Sequence, residues 1–137
     1  MTKAKIQPYP LEEEEQIAFV QWCHLHGIVV HHSGNEIGGS TPAMKARALK
    51  MKRLGTSAGF PDLVLFIPVH GITGEIDTYQ PAFVEMKRIK GSVTSQAQKK
   101  WLEVISKAGI PCAVCKGAAA AIDFVKNIME VDLNEQF

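Results

Sequence analysis

The sequence predicts a single α/β domain, a sandwich with a mixed central β-sheet flanked by helices. Three observations lead there. Apolar runs bounded by turn residues recur at 28–32, 59–67, 81–87 and 109–115, each short enough to be a buried strand. Helical patterns with recognisable ends alternate with them, over about 10–27, 41–54, 95–107 and 118–129. No repeat or linker divides the 137 residues, a length that buries one core.

Composition narrows the function classes. Apolar residues make up 46% of the chain and charged residues 21%, which is ordinary for a globular domain. No apolar run approaches the roughly 18 residues of a membrane span. The start, Met1-Thr2-Lys3-Ala4-Lys5, lacks the apolar core of a secretory signal. Three cysteines do not form a disulfide framework and favour a reducing, cytoplasmic setting. The net charge is only +1, but its distribution is uneven. Lys45, Arg47, Lys50, Lys52 and Arg53 form one cationic segment, and Lys87, Arg88, Lys90, Lys99 and Lys100 another, with no carboxylate inside either. Such segregation gives a locally phosphate-binding surface on a nearly neutral protein.

Residues 1–9 read as a flexible tail. From Pro10 a helical pattern opens with Glu12 to Glu15, whose charges suit the positive end of a helix dipole. Ile17, Val20 and Cys23 or His24 form its apolar stripe, with Phe19 and Trp22 nearby, and Gly27 is the C-cap. Ile28 to His32 is the first strand, and its two histidines point to opposite faces, so they cannot ligate one metal together. Ser33 to Ser40 is a glycine-rich loop without the Gly-Lys-Ser/Thr of a nucleotide-binding P-loop. Thr41-Pro42 is an N-cap and N1 proline. The helix it starts runs to Leu54, with Met44, Ala48 and Met51 as its apolar stripe and its cations elsewhere. Thr56 to Phe60 is a connecting loop.

The central strands follow, separated by a polar loop over 68–80 in which Glu75 and Asp77 are solvated charges. Arg88 to Thr94 is a basic loop. A helix over 95–107 has Trp101, Leu102 and Ile105 on its apolar side, with Gln98 in its first turn. Gly109 to Cys115 is the last strand. Cys112 and Cys115 on it have no second Cys/His pair, and the pleat sends their thiols to opposite sides. A helix over 118–129 closes the domain, with 131–137 as a second flexible tail.

The chemistry concentrates at Asp62, Glu85 and Lys87. Asp62 stands where the first central strand starts, and Glu85 and Lys87 end the second. Being two apart, Glu85 and Lys87 project to one face. Two carboxylates and a lysine beside buried strands are costly unless paired or metal-bound. Hard oxygen ligands with positions left for water and phosphate suit Mg²⁺ or Mn²⁺.

Pro61-Asp62 followed by Glu85-Met86-Lys87 resembles the PD-(D/E)XK nuclease signature. The wider pattern, with Gly55 and Gly59 before it and Ser95-Gln96-Ala97-Gln98 leading to Trp101 after it, resembles the VRR-NUC branch, over residues 12–125. The resemblance implies a restriction-endonuclease-like fold and a metal-dependent endodeoxyribonuclease of a bacterial or phage-infected cell. Asp62, Glu85 and the Met86 carbonyl would hold the metal, Lys87 would act on water or phosphate, and Gln98 would lie near the site. A glutamate four residues before a glutamine fits Glu12 and Gln16, making Glu12 a further metal ligand with Glu15 as its rival. Asn35 matches a loop asparagine that faces DNA. The two cationic segments, Arg88 and Lys90 included, would hold the DNA backbone. Stand-alone members of this branch are homodimers that cut branched DNA such as four-way junctions. A non-catalytic DNA-binding module of the same fold, and a hydrolase of small phosphorylated substrates, are the alternatives.

Overall fold

The structure, a computed structural model, describes residues 10–34 and 39–135. Eight elements follow in the expected order: α1 (Glu12–Leu25), β1 (Val29–His32), α2 (Pro42–Arg53), β2 (Leu63–His70), β3 (Ile76–Lys87), α3 (Gln96–Lys107), β4 (Cys112–Lys116) and α4 (Ala118–Glu135). They build a four-stranded mixed sheet in the order β1-β2-β3-β4. The first three strands are antiparallel neighbours, and β4 runs parallel to β3. A parallel step needs a crossover, which α3 supplies. The last helix continues through Glu135, past the expected end at Met129.

The segment 68–80, expected as a loop, is mostly strand. β2 and β3 form one long hairpin that turns only at 71–75, pairing Ile67 with Gln80, Pro68 with Tyr79 and Val69 with Thr78. The polar residues of this arm are exposed and carry no buried periodicity that would mark a strand. Pro81 also hid it. The Phe83 amide donates to the Pro111 carbonyl on the β4 side, so the Pro81 nitrogen, two residues earlier, points the same way beyond the start of β4. No ladder bond is lost there.

The pleat divides the sheet. Leu63, Leu65 and Ile67 of β2 alternate inward with Ala82, Val84 and Met86 of β3, all fully buried. Phe19 and Cys23 of α1 and Ala121 and Val125 of α4 cover them, each pair spaced i, i+4. The inward stripe of α1 is therefore Glu15–Phe19–Cys23; Ile17, expected inside, is 52% exposed. The opposite sheet face is only partly covered. Phe60 stands edge-on to Phe83, with ring centres 5.5 Å apart, and to Trp101 of α3 at 5.0 Å. Beyond this cluster Phe66 remains exposed.

Helix α2 differs from expectation in its packing. Thr41 caps it through the Met44 amide at 3.2 Å, and Pro42 opens it. Yet none of its residues is buried, and Met44, assigned to an apolar stripe, is 47% exposed. Ala48 and Met51 are half-buried, and its five cations are all exposed.

Two local contacts fix how the elements meet. The Ala118 amide, first in α4, donates to the Glu15 carboxylate, so Glu15 satisfies an orphan donor at a second helix start. The loop 55–60 presses on the first turn of α3. A Cβ at Gly59, whose φ is +85°, would stand 2.4–2.7 Å from backbone atoms of Ala97 and Gln98.

Glu15→Ala is expected to cost about 1 kcal/mol of stability, the typical value of a lost helix cap, read as a lower urea midpoint with an unchanged m-value. Gly59→Ala should cost more. The left-handed backbone alone is worth about 1–3 kcal/mol, and the clash must displace α3 as well. Thermal unfolding of the two variants side by side checks the order.

Candidate active site

The antiparallel register of the hairpin builds the site. Leu63 pairs with Val84, so Asp62, just before β2, lies beside Glu85. Two hydrogen bonds lock them together. The Asp62 amide donates to Glu85 Oε2 at 3.1 Å, and the Met86 amide donates to Asp62 Oδ2 at 3.0 Å. Pro61 is fully buried just before this point, and its fixed φ limits how the chain enters β2. Glu85 and Lys87 share a pleat face, and Lys87 Nζ approaches Glu85 Oε1 to 3.6 Å.

Gln98 joins from α3. Ser95 and Gln98 form a capping box: the Gln98 amide donates to Ser95 Oγ at 3.1 Å, and the Ser95 amide donates to Gln98 Oε1 at 2.9 Å. That leaves the Gln98 side-chain nitrogen, which donates to Glu85 Oε1 at 2.7 Å. One residue thus caps a helix and orients the Glu85 carboxylate. The Ser-x-x-Gln spacing carried the cap in plain view; the bond to Glu85 depends on α3 lying over the β3 end.

Glu85 is only 4% exposed. Burial pushes its carboxyl from 4.5 up to about 7; the Asp62 charge beside it adds to the rise and Lys87 opposes it. The Lys87 side chain is itself 12% exposed, so two carboxylates and one ammonium share a nearly dry space. Once Glu85 is ionised, the net negative charge there favours a further cation.

The other expected residues fall around this centre in different ways. Among the described residues no group of three His, Cys, Asp or Glu side chains is gathered in one place, so Glu12 does not join Asp62 and Glu85 as a third carboxylate. Glu12 is half-buried on the first turn of α1. Its rival Glu15 is taken by the start of α4, while Glu14 accepts the Leu11 amide at 3.1 Å and so caps its own helix. Four consecutive glutamates offered no periodic signal to separate these roles. Lys45, Arg47, Lys50, Lys52 and Arg53 lie on exposed α2, Lys90 is exposed, and Arg88 is half-buried with no hydrogen-bond partner at Nε. Asn35 lies outside the described residues. Glu75 and Asp77 sit at the far end of the hairpin. Cys115 is in the core, where burial pushes its thiol up to about 11, and Cys112 donates to the Leu102 carbonyl.

Comparison with known proteins bears on this arrangement. The sequence model of the VRR-NUC domain matches residues 5–119. A solved structure titled "VRR_NUC domain protein" superposes with a TM-score of 0.65 at 23% identity, covering 90% of this chain and 92% of that one. At that identity the likeness speaks for the fold alone. No curated protein matches the chain. No helix among the described residues is long and apolar enough to cross a membrane. The fold is therefore the restriction-endonuclease-like α/β architecture, and with a family match spanning most of its length the chain belongs to the VRR-NUC family, whose domains are nucleases that process DNA.

Proposed function

We propose that this protein is a divalent-metal-dependent endodeoxyribonuclease that selects branched DNA, four-way junctions included, and acts as a homodimer. The observation that carries the metal dependence is the pairing of buried Glu85 with half-buried Asp62, whose charge, once Glu85 is ionised, Lys87 alone does not offset. Asp62, Glu85 and the Met86 carbonyl fit one Mg²⁺ or Mn²⁺ of the kind that keeps water and phosphate among its ligands. When bound, such an ion lowers the pKa of a coordinated water and stabilises charge on the scissile phosphate.

The remaining roles belong to the chain. Lys87, held at the site by Glu85, places an ammonium where negative charge develops in the transition state. Gln98 is a positioning residue: both ends of its amide are engaged, one on Ser95 and the other on Glu85, so it sets the carboxylate direction. The exposed cations of α2 hold the DNA backbone without reading bases, which favours recognition of shape. A two-fold dimer would present two such centres to symmetric strands of a junction.

The test is cleavage of end-labelled four-way junction and matched duplex with Mg²⁺, Mn²⁺ or EDTA. Symmetric junction cuts are expected with metal and none with EDTA, and Lys87→Ala should be at least about a hundredfold slower. Equal cutting of duplex would remove the junction selectivity. Binding without any cutting would favour a DNA-binding module, and a monomer by sedimentation would remove the dimer.

The raised Glu85 pKa gives a second expectation. The folded chain keeps a proton that the unfolded chain releases between pH 4.5 and about 7. Metal-free protein should therefore lose stability as pH rises through that window. Added Mn²⁺ should raise the melting temperature more at pH 8 than at pH 5. Glu85→Gln should be more stable than the parent at pH 8 without metal, and should lose the metal-induced shift.

A further inference from the structure

Two cavities meet on the open face of the sheet. One, of about 520 Å³, is lined by His31, Ser33, Phe60, Val64 and Trp101. The other, of about 310 Å³, shares Ser57 and Trp101 with it and continues past Lys100 to Val104. Together they form a groove with Trp101 at its middle.

The groove lies next to the catalytic carboxylates. Val64 follows Asp62 by two residues and pairs with both His31 and Phe83, so all of them lie on the sheet face that carries Glu85 and Lys87. Ser33, in the groove wall, donates its amide to the Asp62 carbonyl at 2.8 Å. The Ser33 hydroxyl is buried and has no hydrogen-bond partner.

Its lining suits a flat polyanionic guest. Trp101 and Phe60 provide aromatic surface, and no carboxylate lines either cavity. Lys100 stands at one end. At the other end Leu54 and Gly55 enter the wall, which brings the last turn of α2, with Lys52 and Arg53, alongside. A further cavity, at the hairpin tip, is lined by Glu75 and Asp77 and is unsuited to a phosphate chain. A base stacked within a duplex offers only its edges, whereas an aromatic side chain engages the face of a base that has left the stack.

We propose that this groove takes the base of an unpaired nucleotide flanking the phosphate to be cut, stacked on Trp101. The proposal rests on the nuclease reading of the adjacent carboxylates and adds a structural requirement to it: the substrate must supply a nucleotide free of its partner strand. Bulges and flaps do so, a branch point does so where a pair at its centre opens, and a continuous duplex does not.

The chain has two tryptophans, so Trp22→Phe leaves Trp101 as the single reporter. In EDTA, a duplex carrying a two-thymine bulge should quench Trp101 fluorescence, and the same bulge built from abasic residues should give less than about half that quench. Trp101→Leu should weaken binding of the bulged DNA about tenfold while changing duplex binding less than about twofold, with Trp101→Phe restoring most of the loss. Circular dichroism on both variants separates lost stacking from lost folding. Equal quenching by thymine and abasic bulges would overturn the pocket, as would metal-dependent cleavage indifferent to both the abasic change and Trp101→Phe or Leu. Base-dependent quenching without cleavage of any DNA would uphold the pocket and overturn the nuclease reading, and absence of DNA binding would overturn both.

Discussion

A buried glutamate next to an aspartate is the constraint on which the rest of this structure depends. Placing two carboxylates together away from water is unfavourable, and here Glu85 is held in place by bonds from three elements. The loop before β2 gives the Asp62 amide, β3 gives Lys87, and α3 gives Gln98. Each bond fixes a larger feature: the hairpin register, the β3 end and the seat of α3. The close approach of Gly59 to Ala97 and Gln98 serves the same arrangement, because α3 could not lie so near a bulkier residue. An electrostatic cost of this kind is retained where a site must be organised before its substrate arrives.

The sheet separates the hydrophobic core from the candidate site by face. One side carries the aliphatic residues of β2 and β3 beneath α1 and α4 and forms the hydrophobic core. The other carries the carboxylates, Lys87 and an aromatic cluster that α3 covers only in part. A fold covered equally on both sides would bury more apolar surface but leave no place for a polymer beside the carboxylates. The exposed helix α2 fits this division, since none of its residues is buried in the core, and Leu54 and Gly55 just after it line a cavity on the uncovered face.

Much of this was legible in the sequence. The order of the eight elements followed from apolar runs and turn residues, because buried strands and capped helices leave local signals. Asp62, Glu85 and Lys87 stood out because charged residues at the ends of such runs demand an explanation. What stayed hidden depended on tertiary context. The outer half of the hairpin is a two-stranded ribbon whose residues, the buried Pro68 apart, are mostly exposed, and Pro81 lies inside it at a point where the neighbouring strand has not begun. The division of labour among Glu12 to Glu15 depends on where α4 starts, more than a hundred residues later. The apolar residues of α2 looked like a packing stripe, but nothing in their spacing shows that the core lies elsewhere.

Glutamine and glutamate are usually interchangeable at the third position of a capping box, since either can reach back to the cap amide. At position 98 that equivalence is broken. A glutamate would accept the Ser95 amide as well as Gln98 does, and its charge would even suit a helix start. But its second oxygen would face Glu85 where Gln98 now donates a hydrogen, setting another carboxylate against one that is already hard to keep ionised. The cap tolerates two residues and the site only one, so the choice of an amide over an acid here records the electrostatics of a neighbouring strand.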